Sequence, residues 1–192
     1  MNGTNGKGRQ TAYAACRPFC APEGVLIRDG EMLSAGPGAL HHDFFGLKAD
    51  GSFVIGENGL LEEISSDLVQ ACGGRGVILQ DGQPYDISYT EGGDDLGVNV
   101  HPRTAVGFRE NGDLLIVVAD GRQSGYSVGM NLVDLAQVFK SLGAVSALNL
   151  DGGGSSTFVT KNADGSLSVK NKTSNSGGAL RAVGDCLILT AA

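Results

Sequence analysis

The chain has 192 residues, of which 41% are hydrophobic and 18% charged, a size and composition that fit one globular domain with a real core. The net charge is −7 and no run of Lys or Arg occurs, so nucleic acid and anionic membranes are not expected as partners. The sequence shows no apolar stretch long enough to span a bilayer and no signal peptide. The cellular location is therefore left open: the chain is either cytoplasmic or part of a longer or phage-encoded protein.

Two Asp-Gly turns between apolar runs predict hairpins in the first third of the chain, pairing residues 25–27 with 31–33 and residues 44–47 with 53–55. Residues 65–73 predict a short helix that Ser65 would cap and Gly73 would end. A buried strand is expected at residues 77–79. The acidic loop at residues 84–99 is interpreted as a solvated segment or as a lid near a site.

The second half begins with a hairpin of residues 103–108 and 114–118, whose second arm is apolar throughout and is expected to be covered on both faces. Apolar residues at three- and four-residue spacing predict a helix over residues 131–142, capped by Asn131 and ended by Gly143. A strand at 145–150, a hairpin of 156–160 with 166–170, and a closing strand at 181–189, buried in its second half, complete the prediction.

Many short strands and one clear helix predict an α+β fold, with a strongly curved, mixed or mainly antiparallel sheet packed on one or two helices. No linker or repeat divides residues 1–192, so we expect a single domain. The four cysteines are expected to be separate, mostly buried thiols, although the first pair has the spacing of half a zinc site or of a disulfide: Cys16, Cys20, Cys72 and Cys186. His41 and His42 are interpreted as loop residues. No cofactor is predicted, and a divalent cation is left open.

Polar residues cluster next to three predicted strands, at residues 101–104, 120–122 and 149–156. Because strand ends gather at the edges of a sheet, we expect these clusters to meet. Arg103 and Arg122 would give fork-shaped donors for a phosphate or carboxylate. Asp120 and Asp151 would give the carboxylate pair that glycosidic chemistry needs, and the glycine-rich loop would offer backbone N–H groups to an anion. The simpler alternatives are a surface arginine at residue 103, and turns at Asp120 and in the glycine loop.

The order and spacing of several segments resemble the phosphodiester glycosidase family. The matching pieces are His-Pro-Arg-Thr-Ala-Val-Gly at 101–107, Val-Val-Ala-Asp-Gly-Arg-Gln at 117–123, Gly-Tyr-Ser-Val-Gly-Met at 125–130, and Leu-Gly-Ala-Val-Ser-Ala-Leu-Asn-Leu-Asp-Gly-Gly-Gly-Ser-Ser-Thr at 142–157. A weaker match lies at residues 181–185. The resemblance covers about half of the chain strongly.

The resemblance implies a hydrolase that acts on a glycosyl-1-phosphodiester, such as N-acetylglucosamine-1-phosphate linked to another sugar. The arginines would hold the phosphate and the two aspartates would supply acid, base or nucleophile chemistry, with their individual roles open. The candidate catalytic residues are Asp120, Asp151 and Asn149. The candidate substrate-binding residues are His101, Arg103, Thr104, Arg122, Gly152, Gly153, Gly154, Ser155, Ser156 and Arg181.

One feature departs from the family pattern. Members carry an early strand that ends in an Asn-Gly-x-Phe-Phe-like motif, and here Asn2-Gly3-Thr4 lacks both the aromatic residues and the preceding strand. The expectation is a short version of the domain or a domain trimmed from a longer protein, with a homo-oligomer or a partner chain supplying the missing strand. The alternative function is a non-catalytic carbohydrate- or phosphate-binding module of a larger assembly, such as a phage or cell-surface structure.

Overall fold

The structure is a computed structural model that describes Pro22 and residues 24–36, 43–85 and 97–190. The chain divides into two compact units, one formed by Met1–Gly73 with Val183–Ala192 and the other by Gly74–Ala182. The expectations for Asn2-Gly3-Thr4, the first two cysteines, the two loop histidines and most of the acidic loop fall outside the described residues.

The first unit is built on a five-stranded sheet with the strand order β2-β1-β5-β3-β4. Its strands are β1 (Val25–Arg28), β2 (Glu31–Ala35), β3 (Asp43–Lys48), β4 (Phe53–Gly56) and β5 (Leu68–Gly74), and helix α1 (Asn58–Ile64) lies between β4 and β5. Both predicted hairpins are confirmed, because β1 pairs antiparallel with β2 and β3 with β4. Phe44 and Ile27 lie in the buried core of this unit, with Leu61 from α1 packed among them.

The predicted helix at residues 65–73 is wrong, because only Ser65–Asp67 form a 3-10 turn and the chain then continues as β5. Leu68, Ala71 and Cys72 are buried, and β5 lies between β1 and β3 in the middle of the sheet. Gly73 does not end a helix, and its missing side chain lets the backbone of Gly24 come close. A Cβ atom added there would lie 2.8 Å from the Cα atom of Gly24.

The second unit contains a five-stranded sheet with the order β7-β6-β10-β8-β9 and a separate two-stranded ribbon. The strands of the sheet are β6 (Val77–Gln80), β7 (Gln83–Pro84), β8 (Arg103–Phe108), β9 (Leu114–Ala119) and β10 (Ser146–Asn149), and those of the ribbon are β11 (Val159–Lys161) and β12 (Leu167–Val169). The predicted hairpins β8–β9 and β11–β12 are confirmed as antiparallel pairs.

Helix α2 (Leu132–Ser141) packs against β6, β7 and β10 and buries its predicted apolar stripe. Leu135 and Phe139 are fully buried in the core of this unit. The side chain of Asn131 accepts a hydrogen bond from the Asp134 amide at 2.7 Å, which satisfies one of the free N–H groups at the start of the helix. Gly143 has a φ of 75°, so the helix ends in the left-handed conformation that the sequence predicts.

Two burial predictions are wrong. Every residue of β9 is partly exposed, because β9 is an edge strand and its apolar arm is not covered on both faces. The predicted strand at residues 181–189 has no regular secondary structure, and Val183, Ile188 and Leu189 are exposed. An alternating pattern alone does not make a strand, since a strand also needs a neighbour to complete its hydrogen-bond ladder.

The expectation of buried thiols holds for Cys72, whose pKa is raised to about 12 by burial, and fails for the exposed Cys186. The α+β class is confirmed, with the strands distributed over two larger, mostly antiparallel sheets and the ribbon. The number of domains stays a prediction. Among the described residues, no helix is long and apolar enough to cross a bilayer.

Candidate active site

The three polar clusters meet at one edge of the sheet in the second unit, the edge formed by the ends of the strands. Arg103 at the start of β8 pairs with Ala119 at the end of β9, and Ala105 of β8 pairs with Asn149 at the end of β10. The antiparallel register therefore places the start of β8 beside the ends of both neighbouring strands. Residues 101–103, 120–122 and 149–154 extend from this edge.

The three glycines of the loop after β10 each allow another segment to approach. A Cβ atom on Gly152 would lie 2.6 Å from the Pro102 carbonyl oxygen, and one on Gly153 would lie 3.0 Å from Nη1 of Arg122. A Cβ atom on Gly154 would overlap the side chain of Asn175. Gly153 also has a φ of 59°, a conformation that costs other residues free energy. The loop is thus a meeting point for segments from three parts of the chain.

Most of the backbone donors of this loop already have partners inside the protein. The Gly153 amide donates to the Pro102 carbonyl at 2.9 Å, and the Gly152 amide donates to Oδ1 of Asp151 at 2.8 Å. The amides of Ser155 and Ser156 donate to carbonyls of the loop itself, at 3.1 and 3.3 Å. In this conformation the loop is held by its own hydrogen bonds, and the binding of an anion by its N–H groups stays a prediction.

The two arginines have opposite environments. Arg103 is only 3% exposed, and its Nε and Nη2 donate to the carbonyl oxygens of Met130 and Asn99 at 2.9 and 3.0 Å. Arg122 is exposed, and its Nη2 lies 3.1 Å from Nδ1 of His101. Since a guanidinium group only donates, Nδ1 of His101 is the acceptor in this contact. Of these two arginines, Arg122 is therefore the one that faces solvent beside the glycine loop.

Asp120 follows β9 and accepts hydrogen bonds from three neighbouring groups. Its Oδ1 accepts from Nδ2 of Asn171 at 2.9 Å, its Oδ2 accepts from the Tyr126 hydroxyl at 3.0 Å, and the Lys172 amide reaches both oxygens. Burial by itself acts to raise the pKa of Asp120. The hydrogen bonds from these donors and the charge of Lys172 outweigh it and hold the pKa below its usual value.

The other acidic candidate, Asp151, is exposed at the start of the glycine loop, where its contact with the Gly152 amide is the hydrogen bond already described. Asn149 is 5% exposed and donates from Nδ2 to the Arg75 carbonyl at 3.0 Å, while its Oδ1 finds no hydrogen-bond partner among the described residues. Asn149 is thus buried at the end of β10, while the carboxylate of Asp151 two residues further on is exposed.

Hydroxyl groups and a further arginine surround the loop. Ser156 is buried, and its Oγ accepts from the Thr104 hydroxyl at 3.3 Å. Arg181 is exposed, with its Cδ 3.4 Å from the position of a Cβ atom on Gly154. Thr104 and Ser156 therefore link β8 to the loop, while Arg181 adds an exposed cation near it.

Sequence reasoning missed several residues that organise this edge. Tyr126, Asn171 and Lys172 all donate to Asp120, and Nδ2 of Asn175 donates to the carbonyls of Gly154 and Ala179, each at 3.0 Å. Tyr126 lies within the family-like motif at residues 125–130, which marks the segment as part of the resemblance but assigns the tyrosine no role. The polar segment around Asn171 gave no signal. The described ranges contain no group of three or more His, Cys, Asp or Glu side chains that could hold a metal ion.

The sequence model of the phosphodiester glycosidase family matches residues 2–190, and the chain belongs to this family. It is similar to the mouse protein named N-acetylglucosamine-1-phosphodiester alpha-N-acetylglucosaminidase, with 34% identity over 149 residues that cover 71% of this chain and 28% of the relative. It is also 34% identical over 144 residues to the Bacillus subtilis SPbeta prophage-derived uncharacterized protein YomE, covering 69% of this chain and 21% of that one. The chain thus spans less than a third of the length of either relative.

A solved structure supports the same fold. The catalytic domain of zebrafish N-acetylglucosamine-1-phosphodiester alpha-N-acetylglucosaminidase, auto-inhibited by its pro-peptide, matches with a TM-score of 0.70 and 28% identity. The match covers 86% of this chain and 57% of the zebrafish chain.

Proposed function

We propose that this chain hydrolyses a glycosyl-1-phosphodiester, breaking the bond between the sugar C1 and the phosphate oxygen. Water adds to C1, and the products are the free sugar and a phosphomonoester. Membership of the phosphodiester glycosidase family supports the reaction class. The observation that carries the proposal is the exposed Arg122 guanidinium against Gly153, two residues from the exposed carboxylate of Asp151.

Arg122 binds the phosphate in this proposal. A guanidinium group offers two parallel donors to phosphate oxygens, and Arg122 lies at the loop with its head group in solvent. The exposed Arg181 beside Gly154 supplies a second positive charge. Both charges stabilise the negative charge that the phosphate gains as the C1–O bond breaks. Arg103, with its donors on main-chain carbonyls, keeps the start of β8 in place.

The two aspartates divide the carboxylate chemistry. Asp120 is ionised at neutral pH because its lowered pKa favours the charged form, so it does not serve as a proton donor. It stabilises positive charge that develops at C1 and orients its three donors. We assign the attack on C1, directly or through an activated water, to Asp151. A phosphomonoester leaves as a stabilised anion, and so the reaction depends less on a general acid than the hydrolysis of an alkyl glycoside.

The test is the release of N-acetylglucosamine from its 1-phosphate methyl diester in water enriched in ¹⁸O. We expect turnover with ¹⁸O in the sugar and none in the phosphate, because the C1–O bond breaks. Asp151→Ala should lower kcat/KM by about 10²- to 10⁴-fold. Asp113→Ala, which removes a carboxylate from the β8–β9 turn, is the control and should keep the wild-type rate. Equal rates for the Asp151 variant and the wild type, or ¹⁸O in the phosphate, would contradict the proposal.

A second candidate is a binding module of a larger assembly such as a phage structure, since the chain is also similar to a prophage-derived protein whose name assigns it no enzymatic activity. Such a module would bind a glycan phosphodiester through the same Arg122 and loop without cleaving it. Titration calorimetry with the intact methyl diester, followed by analysis of the recovered ligand, separates the two candidates. Intact ligand after binding supports the module, and free sugar supports the hydrolase.

A further inference from the structure

Few aromatic side chains are exposed in the part of the chain that the structure describes. Only 6% of the residues are aromatic and Trp is absent. Among the described residues, the exposed aromatic side chains are Tyr126, at 60%, and Phe158, at 42%. An exposed aromatic ring beside a candidate catalytic carboxylate offers an apolar face to a ligand. Both rings belong to residues connected to Asp120.

Tyr126 is exposed and yet fixed in orientation. Its hydroxyl donates to Oδ2 of Asp120 at 3.0 Å, and the Lys172 ammonium lies 4.5 Å from the centroid of its ring. Lys172 is itself tied to the same aspartate through its backbone amide. A side chain held in this way loses little conformational freedom when a ligand arrives.

Phe158 is connected to the same point through Asn171. The Phe158 amide donates to Oδ1 of Asn171 at 2.8 Å, and Nδ2 of Asn171 donates to Asp120. The two exposed aromatic residues are therefore joined through one carboxylate and one carboxamide. The surroundings of the Tyr126 ring are polar and charged, and the ring offers an apolar face among donors and acceptors.

We propose that the Tyr126 ring is a binding site for a pyranose sugar, with the C–H face of the sugar stacked on the ring beside Asp120. A pyranose has an apolar C–H face and a rim of hydroxyl groups, which matches the ring face that Lys172 leaves uncovered, with the carboxylate of Asp120 beside it. The hydrogen-bonded and charged surroundings of the ring favour a polar ligand with one apolar face over a flat apolar partner. This inference rests on the proposed function, since it assigns the sugar part of the same substrate.

The experiment measures binding of three probes to the full chain by titration calorimetry: methyl N-acetyl-α-glucosaminide, N-acetylglucosamine 1-phosphate and inorganic phosphate. Tyr126→Ala should weaken both sugar probes by about three- to tenfold and leave phosphate binding unchanged. Tyr126→Phe keeps the ring and should bind all three probes within about twofold of wild type. Leu167→Ala, at a side chain 72% exposed on the ribbon, is the control and should change nothing.

Two results would overturn the inference. Wild-type sugar affinity in Tyr126→Ala means that the ring does not contact the sugar. Equal weakening in Tyr126→Phe and Tyr126→Ala means that the hydroxyl on Asp120 acts, and the ring does not. Tyr126→Leu fills the space without an aromatic face, and it should weaken sugar binding as Ala does even if the Ala variant melts at a lower temperature.

The probes also separate this inference from the proposed function. Methyl N-acetyl-α-glucosaminide has no phosphate, so Tyr126-dependent binding of this probe supports the sugar site even if phosphate does not bind and no hydrolysis occurs. Conversely, if the protein hydrolyses the diester and binds phosphate while the Tyr126 variants keep wild-type sugar affinity, the result supports the hydrolase and overturns the sugar site.

Discussion

The segments that flank the β8–β9 hairpin use the same residue type in two different ways. Before β8, Arg103 is buried and its donors hold the carbonyls of Met130 and Asn99. After β9, Arg122 is exposed beside Gly153 and His101. The two segments are close, since Gly121 has the backbone of Pro102 within 2.6 Å of the position of its missing Cβ atom. Burial and hydrogen-bond partners, more than position in a motif, decide whether an arginine supports the fold or is free to meet a ligand from solvent.

The largest effect on stability is expected from Arg103→Ala. The substitution leaves two carbonyl oxygens without their buried donors and should lower the free energy of unfolding by about 4 kcal/mol. Urea denaturation of the purified variant measures this loss. A loss below about 1 kcal/mol would mean that Arg103 is not a structural arginine and would remove the contrast with Arg122.

Arg122→Ala should do the opposite of Arg103→Ala, weakening ligand binding and leaving stability almost unchanged. We expect binding of N-acetylglucosamine 1-phosphate to weaken by about 2–5 kcal/mol if the guanidinium pairs with the phosphate. The free energy of unfolding should stay within about 0.5 kcal/mol of wild type, because the side chain is exposed.

The control for this variant is Arg109→Ala, which removes a partly exposed arginine that pairs with Asp113 at 3.2 Å. It should leave ligand binding unchanged. A binding change below about 0.5 kcal/mol in Arg122→Ala would place this arginine outside the site.

A smaller effect on ligand binding is expected from Gly153→Ala, for which Gly177→Ala is the matched control. Both glycines have positive φ, 59° and 67°, so each substitution should cost about 1–2 kcal/mol of stability. Only Gly153 has Arg122 within 3.0 Å of the added Cβ atom, whereas Gly177 has open space. Phosphate binding should therefore weaken in Gly153→Ala alone, and equal affinities in the two variants would show that the contact with Arg122 does not matter for binding.

The smallest effect concerns the pH dependence of stability. The pKa of Asp120 is lower in the folded state, so its contribution is present above the unfolded pKa of about 3.9 and is lost as the pH falls through the folded value. Thermal melts from about pH 6 downward through the unfolded pKa of about 3.9 should show a shallower decline for Asp120→Asn than for wild type. Tyr126→Phe removes one donor and should lie between them. Parallel curves for all three proteins would contradict the assignment.

The elements that the sequence predicts correctly carry local signals. The Asp-Gly turns fix the hairpins of the first unit, and the Asn131 cap and Gly143 fix the ends of α2. The segment of β5 was predicted as a helix because a short strand buried on both faces lacks the alternation that distinguishes strands. The closing segment shows the reverse, since it alternates and yet forms no strand.

The candidate site could be predicted only in part for a similar reason. The positions of the polar clusters follow from the strand order, because polar residues next to neighbouring strands meet at a sheet edge. The burial of Arg103 does not follow from the motif, since it depends on Asn99 and Met130 being placed around it. The partners of Asp120 at residues 171 and 172 lie 51 and 52 positions along the chain, and no local pattern connects them.

The crowding around the glycine loop affects how mutational tolerance is interpreted. A larger side chain at Gly152 would require the backbone of Pro102 to move, and one at Gly154 would displace the hydrogen-bonded side chain of Asn175. In a library screened only for soluble expression, with no substrate present, these two positions should already reject most replacements. Intolerance at these glycines therefore reports on assembly of the polypeptide, whereas intolerance at Arg122 or Asp151 that appears only under selection for turnover reports on chemistry.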